Sequence, residues 1–247
     1  MLEEPLAGGN ESGTVVRVGQ TVRKPWREST GAVHAFLSCV RQAGIDAPEP
    51  IGRDEQGRQI LEYIDGVPAI DLSPLGLDEL RRVGRLIRRI HDVSAAIVDP
   101  APDGWGEALL PVEGADLICH NDLAPWNLII GDRWVFIDWD GAGPSTRLWD
   151  LAYSAQAFAN LVTGEPVGAA ALRLRAFVDG YGAGSALREA LPSALSRRTA
   201  AMYDMLKTAS AIGWQPWAHV FEEDGEHWRG ATEYIAAQEG IWRDALI

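Results

Sequence analysis

Two cysteines, Cys39 and Cys119, are all that the 247-residue chain carries, and they stand far apart with no C-x-x-C spacing. They offer neither a disulfide framework nor a thiolate zinc site, so both read as free thiols of a reducing compartment. Lysine is scarce too: Lys24 and Lys207 are the only lysines among 22 basic residues, which face 35 Asp and Glu for a formal charge of −13. A surface this acidic repels phosphate backbones and anionic lipid, which argues against nucleic acid or membrane as partners and favours a small cationic ligand. No apolar run approaches the roughly 18 residues of a membrane span. The acidic opening Met1-Leu2-Glu3-Glu4-Pro5 also lacks the apolar core of a signal peptide. A soluble, cytoplasmic protein is the expectation.

What the chain does have is an ordinary globular balance, 47% hydrophobic and 23% charged. The hydrophobic period changes along it. Thr14–Val18 and Thr21–Lys24 flank Gly19-Gln20 as a β-hairpin, followed by helical spacing at Val33, Phe36, Leu37 and Val40 with Gly44 as a stop. Ile51-Gly52, a Gln56-Gly57 turn and Ile60–Ile64 predict a second hairpin, ended by Asp65-Gly66. From residue 78 the pattern is mainly helical, with a stripe at Leu80, Val83, Ile87 and Ile90. Residues 117–140 return to short strands, and 147–163, 169–182, 187–213 and 227–245 read as helices. The expected class is α+β and bilobal: a small β-rich lobe with one helix over residues 1–66, then a larger, mostly helical lobe over 67–247. A cleft between lobes is where small ligands usually sit.

The strongest local signal is Leu117-Ile118-Cys119-His120-Asn121-Asp122-Leu123-Ala124-Pro125-Trp126-Asn127-Leu128-Ile129-Ile130, followed by Val135-Phe136-Ile137-Asp138-Trp139-Asp140. Asp122, Asn127 and Asp138 offer hard oxygen atoms of the kind magnesium selects when it also keeps water and substrate phosphates. Any one of them alone is ordinarily a turn residue bonding its own backbone. The ordered set argues against that reading.

His120-Asn121-Asp122-Leu123 with Asn127, then Ile137-Asp138-Trp139-Asp140 and Leu148-Trp149-Asp150-Leu151-Ala152-Tyr153, resembles the signature of the aminoglycoside phosphotransferase and choline kinase superfamily, of protein-kinase-like fold. The resemblance is specific over 118–153 and looser over 5–66. It implies ATP and Mg2+ as cofactors. Asp122 would orient or accept the proton of an attacking hydroxyl, and Asn127 and Asp138 would hold magnesium against the phosphates. His120 and Asp150 would be structural, orienting and bracing the catalytic loop.

In the first lobe, Lys24 shares a strand face with Val22 and matches the family's phosphate-contacting lysine, while a one-residue register slip would bring Arg23 into the cleft instead. The family's partner glutamate on the next helix is missing, since no acid lies between Glu28 and Asp46. His34 is the one ionisable acceptor candidate on that helix, either a partner for Lys24 or a histidine at the helix edge. Gly8 and Gly9 occupy the place of the nucleotide-covering loop, and Glu62 and Ile64 lie where the family has its adenine-binding hinge. Only eleven residues lie between Asp138 and Asp150, too few for a phosphorylatable activation segment, which favours a small-molecule kinase. Asp140, Glu222 and Asp224 are candidate acceptor-facing acids, the latter two within an acidic run beside Trp214, Trp217 and Trp228 that otherwise reads as a solvated loop. The expected activity is γ-phosphoryl transfer to a hydroxyl of a small, cationic, antibiotic-like molecule. The alternative is a kinase-fold immunity or binding protein with weak or lost transfer.

Overall fold

Gly19 adopts φ +62° in the tight turn that folds β2 (Val16–Val18) back onto β3 (Thr21–Lys24). The computed structural model describes residues 2–6, 15–97, 104–106 and 108–247. β1 (Glu4–Pro5) lies outside β2, and β5 (Gln59–Glu62) and β4 (Pro50–Arg53) follow β3, giving an antiparallel sheet in the order β1-β2-β3-β5-β4. The helical stripe of α1 (Thr30–Gln42) is buried as expected, with Val33, Phe36, Leu37 and Val40 all facing the core. Strand alternation answers the register question. Lys24 turns inward, 5% exposed, whereas Arg23 lies 3.6 Å from Asp54.

Beyond β5 the chain pairs β6 (Val67–Pro68) with β8 (Leu128–Ile130), which pairs in turn with β9 (Trp134–Phe136). β7 (Leu117–Cys119) pairs with β10 (Gly143–Ser145). These short ribbons lie among helices: α2 (Leu77–Ile97), α3 (Arg147–Phe158), α4 (Val167–Tyr181), α5 (Ser185–Ile212), α6 (Trp217–Ala237) and α7 (Glu239–Leu246). The arrangement is the expected bilobal α+β one, a sheet with a single helix beside a mostly helical lobe.

Glycine lets α2 and α4 cross closely. A Cβ on Gly84 of α2 would lie 2.2 Å from the Phe177 carbonyl, and one on Gly180 of α4 would lie 2.2 Å from that of Arg81. Two expectations fail near the end of the chain. The single helix over 227–245 is two, divided at Gln238, and α6 starts ten residues earlier, at Trp217. The acidic run at 222–226 is therefore an exposed helical face rather than a loop, because Ala218, Val220, Gly225 and Trp228 supply a buried face at helical spacing.

Candidate active site

The loop between β7 and β8 is fixed from within. His120 is fully buried; its Nδ1 accepts the Asp122 N–H at 3.3 Å, so Nε2 carries the hydrogen and donates to the Ile137 carbonyl at 3.0 Å. Asn121 sits at φ +64° and donates from Nδ2 to the Gly141 carbonyl at 3.0 Å. Asp138, two residues beyond β9, sits at φ +60°. Side chains in the left-handed region each cost on the order of 1–3 kcal/mol, and such strain clusters at functional sites.

Those turns bring the predicted oxygens together. Asn127 gives its amide hydrogens to Asp122, at 2.7 Å to Oδ2 and 3.0 Å to the carbonyl, which leaves Oδ1 as its ligand atom. The β8–β9 hairpin sets Ile137 opposite Asn127, its N–H donating to the Asn127 carbonyl at 2.8 Å, and Asp138 follows directly. Asp138 in turn meets the first lobe, with Lys24 Nζ 2.5 Å from its Oδ1 and 2.8 Å from Asp140 Oδ2. Burial alone would lower the Lys24 ammonium, but the charges of Asp138 and Asp140 outweigh it and hold the group above its ordinary value. The Asp138 carboxylate already faces a cation, and with Asn127 Oδ1 it offers hard oxygen donors of the kind that fit magnesium.

Asp122 is engaged on both sides. Tyr153, on α3, donates its hydroxyl to Oδ1 at 2.8 Å, and the Trp126 indole N–H lies 3.4 Å from Oδ2. Burial pushes the Asp122 carboxyl above its ordinary value, against the pull of His120 and Tyr153. Tyr153 closes the signature stretch Leu148–Tyr153 but was assigned no role there, and nothing local marks Arg198, whose guanidinium lies 4.4 Å over its ring.

The remaining expectations divide. His34 does not reach Lys24: its Nε2 lies 3.2 Å from Gln59 Oε1, because Gln59 is fully buried between helix and strand. The Glu62 carboxylate faces away toward Arg133, at 2.6 Å, and Arg41, at 3.5 Å. Ile64 is buried with Ile129 and Val135, against which Ile137 packs. Asp140 is turned to Lys24 and to Gln59, while Glu222 stands exposed 3.5 Å from His219 and Asp224 is exposed on α6. Gly8 and Gly9 lie outside the described residues. Asp150 braces α2, accepting from His91 Nε2 at 2.9 Å, while His91 Nδ1 pairs with the Tyr181 hydroxyl at 2.9 Å. Cys119 lies near this pair, but both histidine nitrogens are spent and burial with the charge of Asp150 pushes the thiol well up, so the cluster is a brace rather than a metal site.

Three comparisons bear on this geometry. The model of the phosphotransferase enzyme family matches residues 103–192. The trifolitoxin immunity protein of Rhizobium leguminosarum bv. trifolii is 31% identical over 194 residues, 72% of this chain and 73% of that one. Among solved structures, the amicoumacin kinase hAmiN, in complex with AMP-PNP and Ca2+, aligns at TM-score 0.67 and 14% identity over 95% of this chain and 88% of its own. A choline/ethanolamine kinase family protein from Mesorhizobium loti aligns at 0.62 and 18%, over 100% and 92%. At such identities the structural likeness speaks for the fold.

Proposed function

We propose, from the premise that this chain belongs to the phosphotransferase enzyme family, within the aminoglycoside phosphotransferase and choline kinase superfamily, that it is an immunity protein. It acts on a small, cationic antimicrobial at a phosphotransferase-type site whose transfer is weak or lost. The observation that carries this reading is that the groups transfer would use are paired within the protein: Asp122 with Tyr153 and Asn127, Lys24 with Asp138 and Asp140. The curated relative, named for immunity, supports the same role.

A second reading, full ATP- and Mg2+-dependent transfer to a hydroxyl of the same kind of molecule, is favoured by the complete set Asp122, Asn127 and Asp138, held by two strained residues. In either case residues 1–66 form the nucleotide-binding lobe and 67–247 the acceptor lobe. The backbone of Glu62 and Ile64 would bond the adenine edge, and Lys24 would contact phosphate. Asn127 and Asp138 would hold magnesium, which supplies neutralisation of charge on the phosphoryl oxygens. Asp122 orients the acceptor hydroxyl, as an acceptor of its hydrogen bond.

The variant Asp122→Asn separates the two. Protection of cells against an amine-bearing antimicrobial is expected to survive in the variant, with Mg-ATP binding intact, if protection is by binding. Loss of protection together with loss of phosphorylated product in the purified variant overturns the binding form in favour of transfer.

A further inference from the structure

A buried ammonium needs negative charge facing it, and α1 has none to give Lys24. The space between α1 and β5 is filled by a neutral pair. Gln59 Nε2 donates to the Pro25 carbonyl at 3.1 Å and to Asp140 Oδ1 at 3.3 Å, which fixes the amide and leaves Oε1 to accept from His34 Nε2 at 3.2 Å. The other oxygen of Asp140 lies 2.8 Å from Lys24 Nζ. Asp138 and Asp140 flank Trp139 at the start of one 3-10 turn, yet their side chains are 26% and 9% exposed respectively. One carboxylate is open to the cleft. Its neighbour is enclosed, with an amide on one oxygen and the ammonium on the other, and the Arg27 charge acts on it as well.

We propose that Asp140 is the positioning residue for Lys24, replacing an acid on α1, so that Asp138 is released to a metal while the lysine stays in place. The inference rests on the reading that Lys24 meets nucleotide phosphate. An enclosed carboxylate with a fixed orientation loses little freedom on holding the ammonium, whereas an open one exchanges readily with water and ions. The neutral His34–Gln59 pair then follows from the move: an acid on α1 would add a third carboxylate to a group already matched.

Because the chain has only two lysines, 15N-lysine labelling gives two side-chain ammonium signals, with Lys207 as internal reference. At one fixed pH, the Lys24 signal is expected to be protected from exchange in the wild type, in Asp140→Glu and in Asp138→Asn, and to be lost in Asp140→Asn. Mg-ATP affinity is expected to fall about tenfold in Asp140→Asn and to return to within about threefold of wild type in Asp140→Glu. Loss of the signal in Asp138→Asn with retention in Asp140→Asn would overturn the proposal. Should Asp140→Asn fail to fold, Gln59→Met removes the amide bond to Asp140 Oδ1 without removing charge. Ammonium exchange about threefold faster supports the anchor, and an unchanged rate counts against it. A wild type with a protected Lys24 signal that binds no Mg-ATP keeps the anchor and removes the nucleotide reading. Binding of Mg-ATP with a Lys24 signal indifferent to Asp140 does the reverse.

Discussion

Tyr153 shows how much of a site can rest on one hydroxyl. It is buried, lies parallel to Trp228 with ring centroids 6.4 Å apart, and gives its hydrogen to Asp122. Burial and the Asp122 charge push its phenol well above the ordinary value, so it remains a donor. Arg198 lies over the same ring, its Nε and Nη1 without a hydrogen-bond partner among the described residues. Burial lowers its pKa, against the charges of Tyr153, Asp150 and Asp122. Replacing Tyr153 by Phe keeps the stacking and removes the donor. Urea denaturation of Tyr153→Phe is expected to show a loss of about 1.5–3 kcal/mol, the worth of a buried bond to a charged group, with Mg-ATP affinity unchanged. A variant as stable as wild type would mean that water replaces the hydroxyl at Asp122.

Among the elements, α2 and α4 depend most directly on a single atom type. Each brings a glycine against the other's backbone, so a methyl at Gly180 can be accommodated only by separating the helices. Gly180→Ala is expected to lose about 1–3 kcal/mol by overpacking, read from the denaturation midpoint. An alanine variant with an unchanged midpoint would show that the crossing relaxes freely. This contact was not legible in the sequence, where Gly84 and Gly180 look like ordinary weak points in helices, because their value lies in a partner nearly a hundred residues away. The stripes of α1 and α2 were legible, since burial there follows local period. β6 was not, being two residues whose only sheet signal is the strand beside them. The site divides in the same way. Asp122, Asn127 and Asp138 could be read from one short stretch, whereas the partner of Lys24 lies across the cleft in another lobe and could not be inferred from α1.

For the whole molecule, acid is the condition that tests the charges joining one helix to another. Asp92, at the C-terminal part of α2, bonds Arg88 at 2.7 Å and Arg147 at 2.8 Å, joining α2 to the start of α3. Burial would raise its carboxyl, but the bond from Arg88 and the charge of Arg147 outweigh it, leaving it below the ordinary value of 3.8. A depressed carboxyl contributes stability that is present above the unfolded value and is lost as pH falls through the folded one. Thermal melts are therefore expected to show Asp92→Asn less stable than wild type at neutral pH, with the difference closing below about pH 4. A difference independent of pH would assign the loss to packing.

Two ionic ties between the lobes are of opposite character. At the back, Arg133 holds Asp46 at 3.0 Å and Glu62 at 2.6 Å on an open surface, while at the front Lys24 is buried against Asp138 and Asp140. Dissolved ions weaken the first and hardly reach the second. In brine the outer latch at Arg133 would therefore slacken while the apolar seam shared by the lobes and the lysine beneath the cleft stay fastened.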